Sequence, residues 1–472
     1  MNAPFRFLVL ALAVTGLSAC ALGPDYQRPE LEISDHYRQV QGWKPAAPAD
    51  TLERGAWWAL YDDWELNALA ERLNVSNQNL AAAEARYRQA RALVHGARAA
   101  FYPTVSAGVE AGRASGSGSQ QGLSGGRRES FDASLGLSWQ LDLWGRLRRT
   151  LEAERAGAQA SQADLAAVRL SLQAELVQNY LQLRVLDEQR RLLDATLEAY
   201  QRSLRLTENQ YRAGIVPKSD VTQALTQLKS TQAQAVDLEW QRAQLEHAIA
   251  VLIGLVPAEF SISVRNELPK LPEVPPSVPS LLLERRPDVA SAERGVMAAN
   301  AGIGVAKTAW FPDLSLSALG GYRSSSFADW ISLPNRYWSL GPALALQLFD
   351  GGARRAELER AEAAYDQTVA QYRQTVLEAF REVEDALVEL SVLEREQRLQ
   401  EEAVDAARES LRLVENQYRA GTVDFNSVVS VQAAALNNER ASLTLLGNRL
   451  RASVQLIAAL GGGWESVELH GR

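Results

Sequence analysis

Ser134–Leu141 reads SLGLSWQL, and its alternation decides the fold. Successive side chains of a strand point to opposite faces. Leu135, Leu137, Trp139 and Leu141 therefore share one face, and Ser134, Gly136, Ser138 and Gln140 the other. Three further stretches repeat the pattern. Val105, Ala107 and Val109 alternate with Thr104, Ser106, Gly108 and Glu110. Leu314, Leu316 and Ala318 alternate with Asp313, Ser315 and Ser317, and Trp338, Leu340, Leu344 and Leu346 with Ser339, Gly341, Ala345 and Gln347. A half-buried sheet of a soluble protein carries charges on its wet face, whereas here that face is mainly Ser, Gly and Gln. One apolar face and one face of small polar residues predict transmembrane strands, lipid on one side and water on the other. Phe101, Tyr102, Trp144, Trp310, Phe311, Tyr337 and Trp338, near the strand ends, read as interfacial girdles.

Four strands are too few to close a barrel, and open strand edges are not tolerated in lipid. Several copies must each supply a sector of one shared barrel. The loops between paired strands are GRASGSGSQQGLSGGRRES (112–130) and RSSSFADWISLPN (323–335). The first is Gly/Ser-rich and predicts a mobile connection. Long loops belong outside the cell, so the rest of the chain projects into the periplasm.

That rest is helical and duplicated. LTENQYRAGIV (206–216) returns 207 positions later as LVENQYRAGTV (413–423). SWQLDLWGRLRR (138–149) matches ALQLFDGGARR (345–355), and AAFYPTVS (99–106) resembles TAWFPDLS (308–315). Landmarks in the same order mean two homologous halves, 66–267 and 281–460. Between them lies a Pro-rich linker, 268–280, and a tail, 461–472, follows. Each half predicts a helix (Leu66–Ala99; Val289–Lys307), two strands (102–142; 312–349), a long helix (145–212; 353–419) and a final helix (217–254; 424–460). Along the first long helix the spine Val168, Leu172, Leu176, Asn179, Leu183, Leu186, Arg190, Leu193, Leu197, Tyr200 and Leu204 steps by threes and fours, a coiled-coil pattern. Val376, Phe380, Val383, Leu387 and Leu390 repeat it.

At 1.5 Å per residue the long helix measures about 100 Å, and the two shorter ones, stacked end to end, about the same. Gly214 and Gly421 suit the left-handed residue that stops a helix, and Pro217 suits the start of the next. The two ENQYRAG copies are then the tips of two long helical hairpins. The fold class is mostly α with transmembrane β: coiled-coil hairpins forming an α-barrel tunnel, plus four strands per protomer.

The chain begins MNAPFRFLVLALAVTGLSAC. Arg6, the apolar run Phe7–Leu17 and the small residues Ser18 and Ala19 predict a signal peptide over 1–19. LSAC resembles a lipobox, with Cys20 as the acylated first residue of a lipid-anchored segment, 20–65. Ala21, rather than Asp, points to the outer membrane. Cys20 is the single cysteine, so an intramolecular disulfide and a cysteine-based zinc site are excluded. A net charge of −8 argues against a nucleic-acid partner. His36, His95, His247 and His470 share no ligand or triad spacing. ERRPD (284–288) reads as a helix entry with Pro287 at its start. No catalytic residue, metal or cofactor is assigned.

The block LLLERRPDVASAERGVMAANAGIGVAKTAWFPDLSLSALGG (281–321), the two tips and CALGPDYQRPE after the signal resemble outer membrane factors of the TolC type, in particular their NodT-like and OprM-like lipoprotein branch. That resemblance implies a homotrimer with a twelve-stranded barrel and a helical periplasmic tunnel. It implies a tripartite efflux or type I secretion-like system, completed by a periplasmic adaptor and an inner-membrane pump. It further implies that the tips, Tyr211, Arg212, Gly214, Val216, Ser219, Tyr418, Arg419, Gly421, Val423 and Ser427, meet the adaptor. Relatives commonly have Asp where this chain has Ser430 and an apolar residue at the place of Asn426, which leaves Asp424, one turn nearer the tip, as a gate candidate beside Asn426 and Ser430. The reading from another class is a lipid-anchored coiled-coil scaffold or adhesin without a pore.

Overall fold

The structure, a computed structural model, describes residues 21–29, 55–115, 127–265, 268–272 and 286–462. The signal peptide, Cys20, His36, most of the Pro-rich linker, the centre of the first strand loop and the tail from residue 463 on lie outside the described residues. In chain order the helices and strands are α1 (Trp64–Ser76), α2 (Gln78–Ala99), β1 (Thr104–Ser115), β2 (Arg127–Leu141), α3 (Arg146–Arg212), α4 (Lys218–Leu252), α5 (Pro287–Thr308), β3 (Asp313–Ser324), β4 (Arg336–Ala345), α6 (Ala353–Arg419) and α7 (Phe425–Ala459). They divide between two compact units. One contains Arg86–Gln162, Ser291–Arg373 and residues 21–29; the other contains residues 55–85, the described part of Ala163–Ala290 and the chain from Gln374 onward.

The first unit carries the sheet, an antiparallel meander in the order β1-β2-β3-β4. Its register keeps like with like. Val105 pairs with Leu137, Leu137 with Ala318 and Ala318 with Leu340. Ser106 pairs with Gly136, Ser138 with Ser317 and Ser317 with Gly341. Directly opposed residues project to the same side, so the four alternating stretches merge into one apolar face and one of small polar residues.

The second unit is helical and holds the main core. Tyr61, Leu66, Leu73, Leu176, Leu183, Ile249, Leu450 and Ile457 are buried in one cluster. Leu172, Leu176, Leu183, Leu186, Leu193 and Tyr200 of the predicted spine are buried, as are Val376 and Val383 of its second copy. Between Leu176 and Asp187 the helix α3 is enclosed on more than its spine. Val177, Tyr180, Leu181, Arg184, Val185 and Asp187 are buried as well. Arg184 donates to Asp187 at 3.1 Å, to the Ser263 carbonyl at 2.8 Å and to the Tyr180 hydroxyl at 3.1 Å. Tyr180 in turn donates to Asp63 Oδ2 at 2.7 Å. A buried charge held this way has its hydrogen-bonding capacity met.

One expected element divides. The helix predicted over Leu66–Ala99 is two, because Asn77 is extended (φ −69°, ψ 125°). Its side chain accepts the Leu80 amide at 2.9 Å, capping α2. Its amide also donates to the Leu252 carbonyl at 2.7 Å, and Ser76 Oγ donates to the Ile253 carbonyl at 2.7 Å. The last carbonyls of α4 are thus satisfied by the residues at which α1 gives way to α2. Gly254, at φ +72°, lies so close to Ser76 that a Cβ would sit 2.5 Å from its carbonyl oxygen.

Candidate functional site

Three places carry the chemistry expected of this chain: the sheet, the segment after Cys20 and the hairpin tips.

On the apolar face of the sheet Val105, Val109, Leu135, Trp338, Leu340 and Leu344 are exposed. Beyond them, at the loop end, Arg113 and Glu129 pair on the same face. The opposite face carries a charged cluster near that end. Arg323 donates to Asp132 Oδ2 at 2.7 Å, and the Tyr337 hydroxyl donates to the same carboxylate at 3.1 Å. Tyr337 therefore belongs to the polar face, not to an interfacial girdle, whereas its neighbour Trp338 faces the apolar side opposite Gly320. At the helical end stand Trp144, Trp310 and Phe311 of the expected aromatics, with Trp139. Trp139 donates its indole N–H to the Phe101 carbonyl at 2.9 Å, Trp144 to the Pro312 carbonyl at 2.8 Å, and the Trp144 and Phe311 rings lie 4.9 Å apart. Arg354 lies over the Trp310 ring at 4.9 Å. Indoles with an apolar body and a satisfied N–H suit a membrane boundary.

Both long helices start at this end from an aspartate. Asp142 accepts the Leu147 and Arg148 amides at 3.0 Å, and Asp350 accepts the Gly352 amide at 3.0 Å and that of Arg354 at 3.1 Å. A carboxylate at a helix start meets free N–H groups and the positive end of the helix dipole. Arg354 and then the Gly352 amide hold Asp350 below the usual carboxylate range.

Residues 21–29 are strapped onto the same unit. The Leu22 amide donates to the Trp144 carbonyl at 3.2 Å. Arg149 donates to the Leu22 carbonyl at 3.1 Å and to Asp25 at 2.9 Å, and Asn300 donates to the Pro24 carbonyl at 2.9 Å. Tyr26 donates to Glu293, and Arg28 donates to the Tyr372 hydroxyl, each at 3.2 Å. Gly23, at φ +103°, meets Gly304 so closely that a Cβ would lie 2.5 Å from its Cα. The GPDYQR run after the cysteine is thus a set of contacts with α3, α5 and α6. Ala21 packs on Gly145, next to Trp144 in the chain.

At the tips the expected stops are present. Gly214 and Gly421 adopt φ +73° and +74°. The Ile215 amide donates to the Gln210 carbonyl at 2.9 Å and Gly214 to Tyr211 at 2.9 Å; Thr422 to Gln417 and Gly421 to Tyr418 repeat this at 3.0 Å. This bonding pattern is a Schellman motif. Pro217 is the extended residue before α4, and α4 itself begins at Lys218.

The two tyrosines of the repeat are not equivalent. Tyr418 donates to Gln210 Oε1 at 2.7 Å and its ring lies 5.7 Å from that of Phe425, so it joins one hairpin to the other. Tyr211 is 43% exposed. Arg212, Arg419, Ser219 and Ser427 are exposed, while Val216 and Val423 are half-buried.

Asp424 is the N-cap of α7. Its carboxylate accepts the Ser427 hydroxyl at 2.6 Å and the Ser427 amide at 3.0 Å, and these two bonds, the hydroxyl first, hold it below the usual carboxylate range. Asn426 accepts Gln223 Nε2 at 2.9 Å, tying α7 to α4, and Ser430 is exposed. Sequence reading missed the Tyr418–Gln210 and Asn426–Gln223 ties, which cross between residues far apart in the chain. Among the described residues there is no cluster of His, Cys, Asp and Glu fit for a metal, and no helix is long and apolar enough to cross a membrane.

The same architecture occurs in solved structures. The outer-membrane channel OprN is 33% identical, with a TM-score of 0.86 over 94% of this chain and 100% of that one. A structure of CusC is 26% identical, with a TM-score of 0.84 over the same shares. In sequence, the probable efflux pump outer membrane protein TtgC of Pseudomonas putida is 32% identical over 97% of this chain and 96% of its own. The outer membrane protein OprJ of Pseudomonas aeruginosa is 32% identical over 98% and 96%. The cation efflux system protein CusC of Escherichia coli is 30% identical over 97% and 98%. The family model of outer membrane efflux proteins matches twice, at residues 69–255 and 278–462. With its duplicated hairpins, four-stranded two-faced sheet and full-length likeness to such channels, the chain belongs to the outer membrane efflux protein family.

Proposed function

We propose that three copies of this efflux channel close one twelve-stranded barrel in the outer membrane and form a passive duct with a helical periplasmic tunnel. One observation carries the reading. The sheet ends in two open edges, β1 and β4, which run in opposite directions. β4 of one copy can therefore pair antiparallel with β1 of the next, with the apolar faces outward and the Ser/Gly faces lining water. The scaffold reading gives those faces no use.

The anchor and the tips complete the proposal. Ala21 packs on Gly145, next to Trp144 in the chain, which supports Cys20 as a lipidated residue whose acyl chains enter the membrane there. The tips end both hairpins in exposed side chains, and Tyr211, Arg212, Ser219, Arg419 and Ser427 are the groups offered to a periplasmic adaptor, which joins the duct to an inner-membrane pump. Asp424, Asn426 and Ser430 remain the gate candidates; the first two already have local hydrogen-bond partners. Relatives' names span antibiotics, toluene, pyoverdine and cations, which supports a duct that selects little while its pump selects the cargo.

The test is purification and conductance of the lipid-free Cys20→Ser protein. A channel requires detergent and conducts ions in planar bilayers. A protein soluble without detergent and silent in bilayers would remove this function.

A further inference from the structure

The loop joining β3 to β4, residues 325–335, is folded sideways against the apolar face of the sheet. Phe131 projects on that face, in step with Leu135 and Leu137. Its ring lies 5.4 Å from Phe327 and 5.8 Å from Trp330, and those two rings lie 6.0 Å apart. Trp330 donates its indole N–H to the Tyr322 carbonyl at 3.1 Å, and Asn335 donates to the Asp329 carbonyl at 2.7 Å. The loop is therefore a built, internally bonded structure. Yet it presents Phe327, Ile331 and Leu333 at 70%, 71% and 76% exposure.

We propose that this loop is a membrane anchor, with Phe327, Trp330, Ile331 and Leu333 seated at the acyl-chain and headgroup boundary of the outer leaflet. The inference rests on the membrane-strand reading and extends it to a segment that strand periodicity does not cover. Its warrant is continuity. From Leu141 to Phe131 the apolar face of β2 runs about 34 Å along the strand, or about 25 Å along the membrane normal at the usual tilt. That is the height of the apolar band of such barrels. Phe131 and the rings on it thus fall where the band ends, and the Arg113–Glu129 pair one step beyond marks water. Trp with its N–H satisfied and its ring in an aromatic cluster suits this boundary. Asp329, exposed in the loop between Phe327 and Trp330, supplies a polar group at headgroup level.

The experiment uses the full chain with Cys20→Ser, which leaves an introduced thiol as its single one. Ile331→Cys and, separately, Phe327→Cys carry a nitroxide in proteoliposomes, with Leu135→Cys as the lipid reference and Glu129→Cys as the aqueous one. Collisions with oxygen and with a water-soluble nickel chelate are read by power saturation. At 327 and 331 oxygen access is expected between that of 129 and that of 135, with nickel access severalfold below that of 129. Nickel access equal to that of 129 would put the loop in water and overturn the anchor. Protection from both reagents would mean that protein covers it, which also overturns the anchor. If 135 itself is open to nickel, the membrane strands fail and the inference falls with them, a result distinct from failure at the loop alone.

Discussion

Asn77 and Arg286 stand 209 positions apart and do the same work in the two halves. Asn77 donates to the Leu252 carbonyl at 2.7 Å; Arg286 donates to the carbonyl of Ala459, the counterpart of Leu252 in the second repeat, at 3.1 Å. Each side chain closes the end of a tip helix where the helix leading to the strands begins. The chemistry has diverged. Asn77 also caps α2, whereas Arg286 pairs with Asp288 at 2.7 Å and with Glu382 of α6 at 2.6 Å. Asn77→Ala is expected to cost about 1–2 kcal/mol, the sum of a lost cap and an unmet carbonyl. Arg286→Ala removes a carbonyl donor and a charge partner, and is expected to cost about 2–3 kcal/mol, since Asp288 and Glu382 reach solvent. Unfolding midpoints in detergent check the order: both variants below the parent, Arg286→Ala lowest.

Tyr418→Phe tests the tie between the hairpins. The ring stays on Phe425 and the hydroxyl's bonds to Gln210 and Thr207 are lost, a change of about 0.5–1.5 kcal/mol for each bond, confined to the tip. If the tip gates the tunnel, bilayer conductance of Tyr418→Phe rises while Tyr211→Phe, its counterpart in the repeat, leaves conductance unchanged. Equal effects of the two would deny the asymmetry.

Gly421 occupies the left-handed region, and a Cβ placed there would meet nothing within 4 Å. The cost of Gly421→Ala is then backbone strain alone, about 1 kcal/mol. Gly421→Asn is expected to lose less than Ala, because Asn tolerates that conformation, and Gly421→Val more. Hydrogen exchange of the tip amides ranks the three.

Asp424 gives the tip a pH dependence. Its folded-state pKa is depressed, so the stability it contributes is present above the ordinary aspartate value of about 4 and is lost as pH falls through the lower folded value. Asn caps at every pH. Pepsin cleavage near residue 424 is therefore expected to accelerate in the parent, but not in Asp424→Asn, as pH falls below about 4. Identical profiles would mean that the carboxylate caps nothing in solution.

Much of this architecture was legible in the chain because strand parity and helix stops are local signals. Leu135, Leu137, Val105, Ala318 and Leu340 share a face by counting in twos, and the register brings those counts together. Gly214 and Gly421 end helices by backbone chemistry alone. The same parity separates Tyr337 from Trp338, so a girdle drawn from strand-end aromatics without it was bound to include one residue of the wrong face. The break at Asn77 was hidden because the apolar spacing runs on from α1 into α2; the adjacent Ser76 and Asn77, both capping residues, were its signal. Arg184 and Asp187 escaped notice for a different reason. A spine reading records one stripe of α3, and here the helix is enclosed beyond it, as the apolar Val177, Leu181 and Val185 off the stripe announce.

The proposed barrel requires that the open edges β1 and β4 pair between copies and close after three. Its most direct measurement is a scan of cysteine pairs along Ser106–Gly112 and Tyr337–Ala343 in Cys20→Ser protein, oxidised in membranes and resolved by denaturing electrophoresis. A ladder of linked chains that stops at three is expected. Chains that stay single at every pair, or a ladder that continues past three, would contradict it.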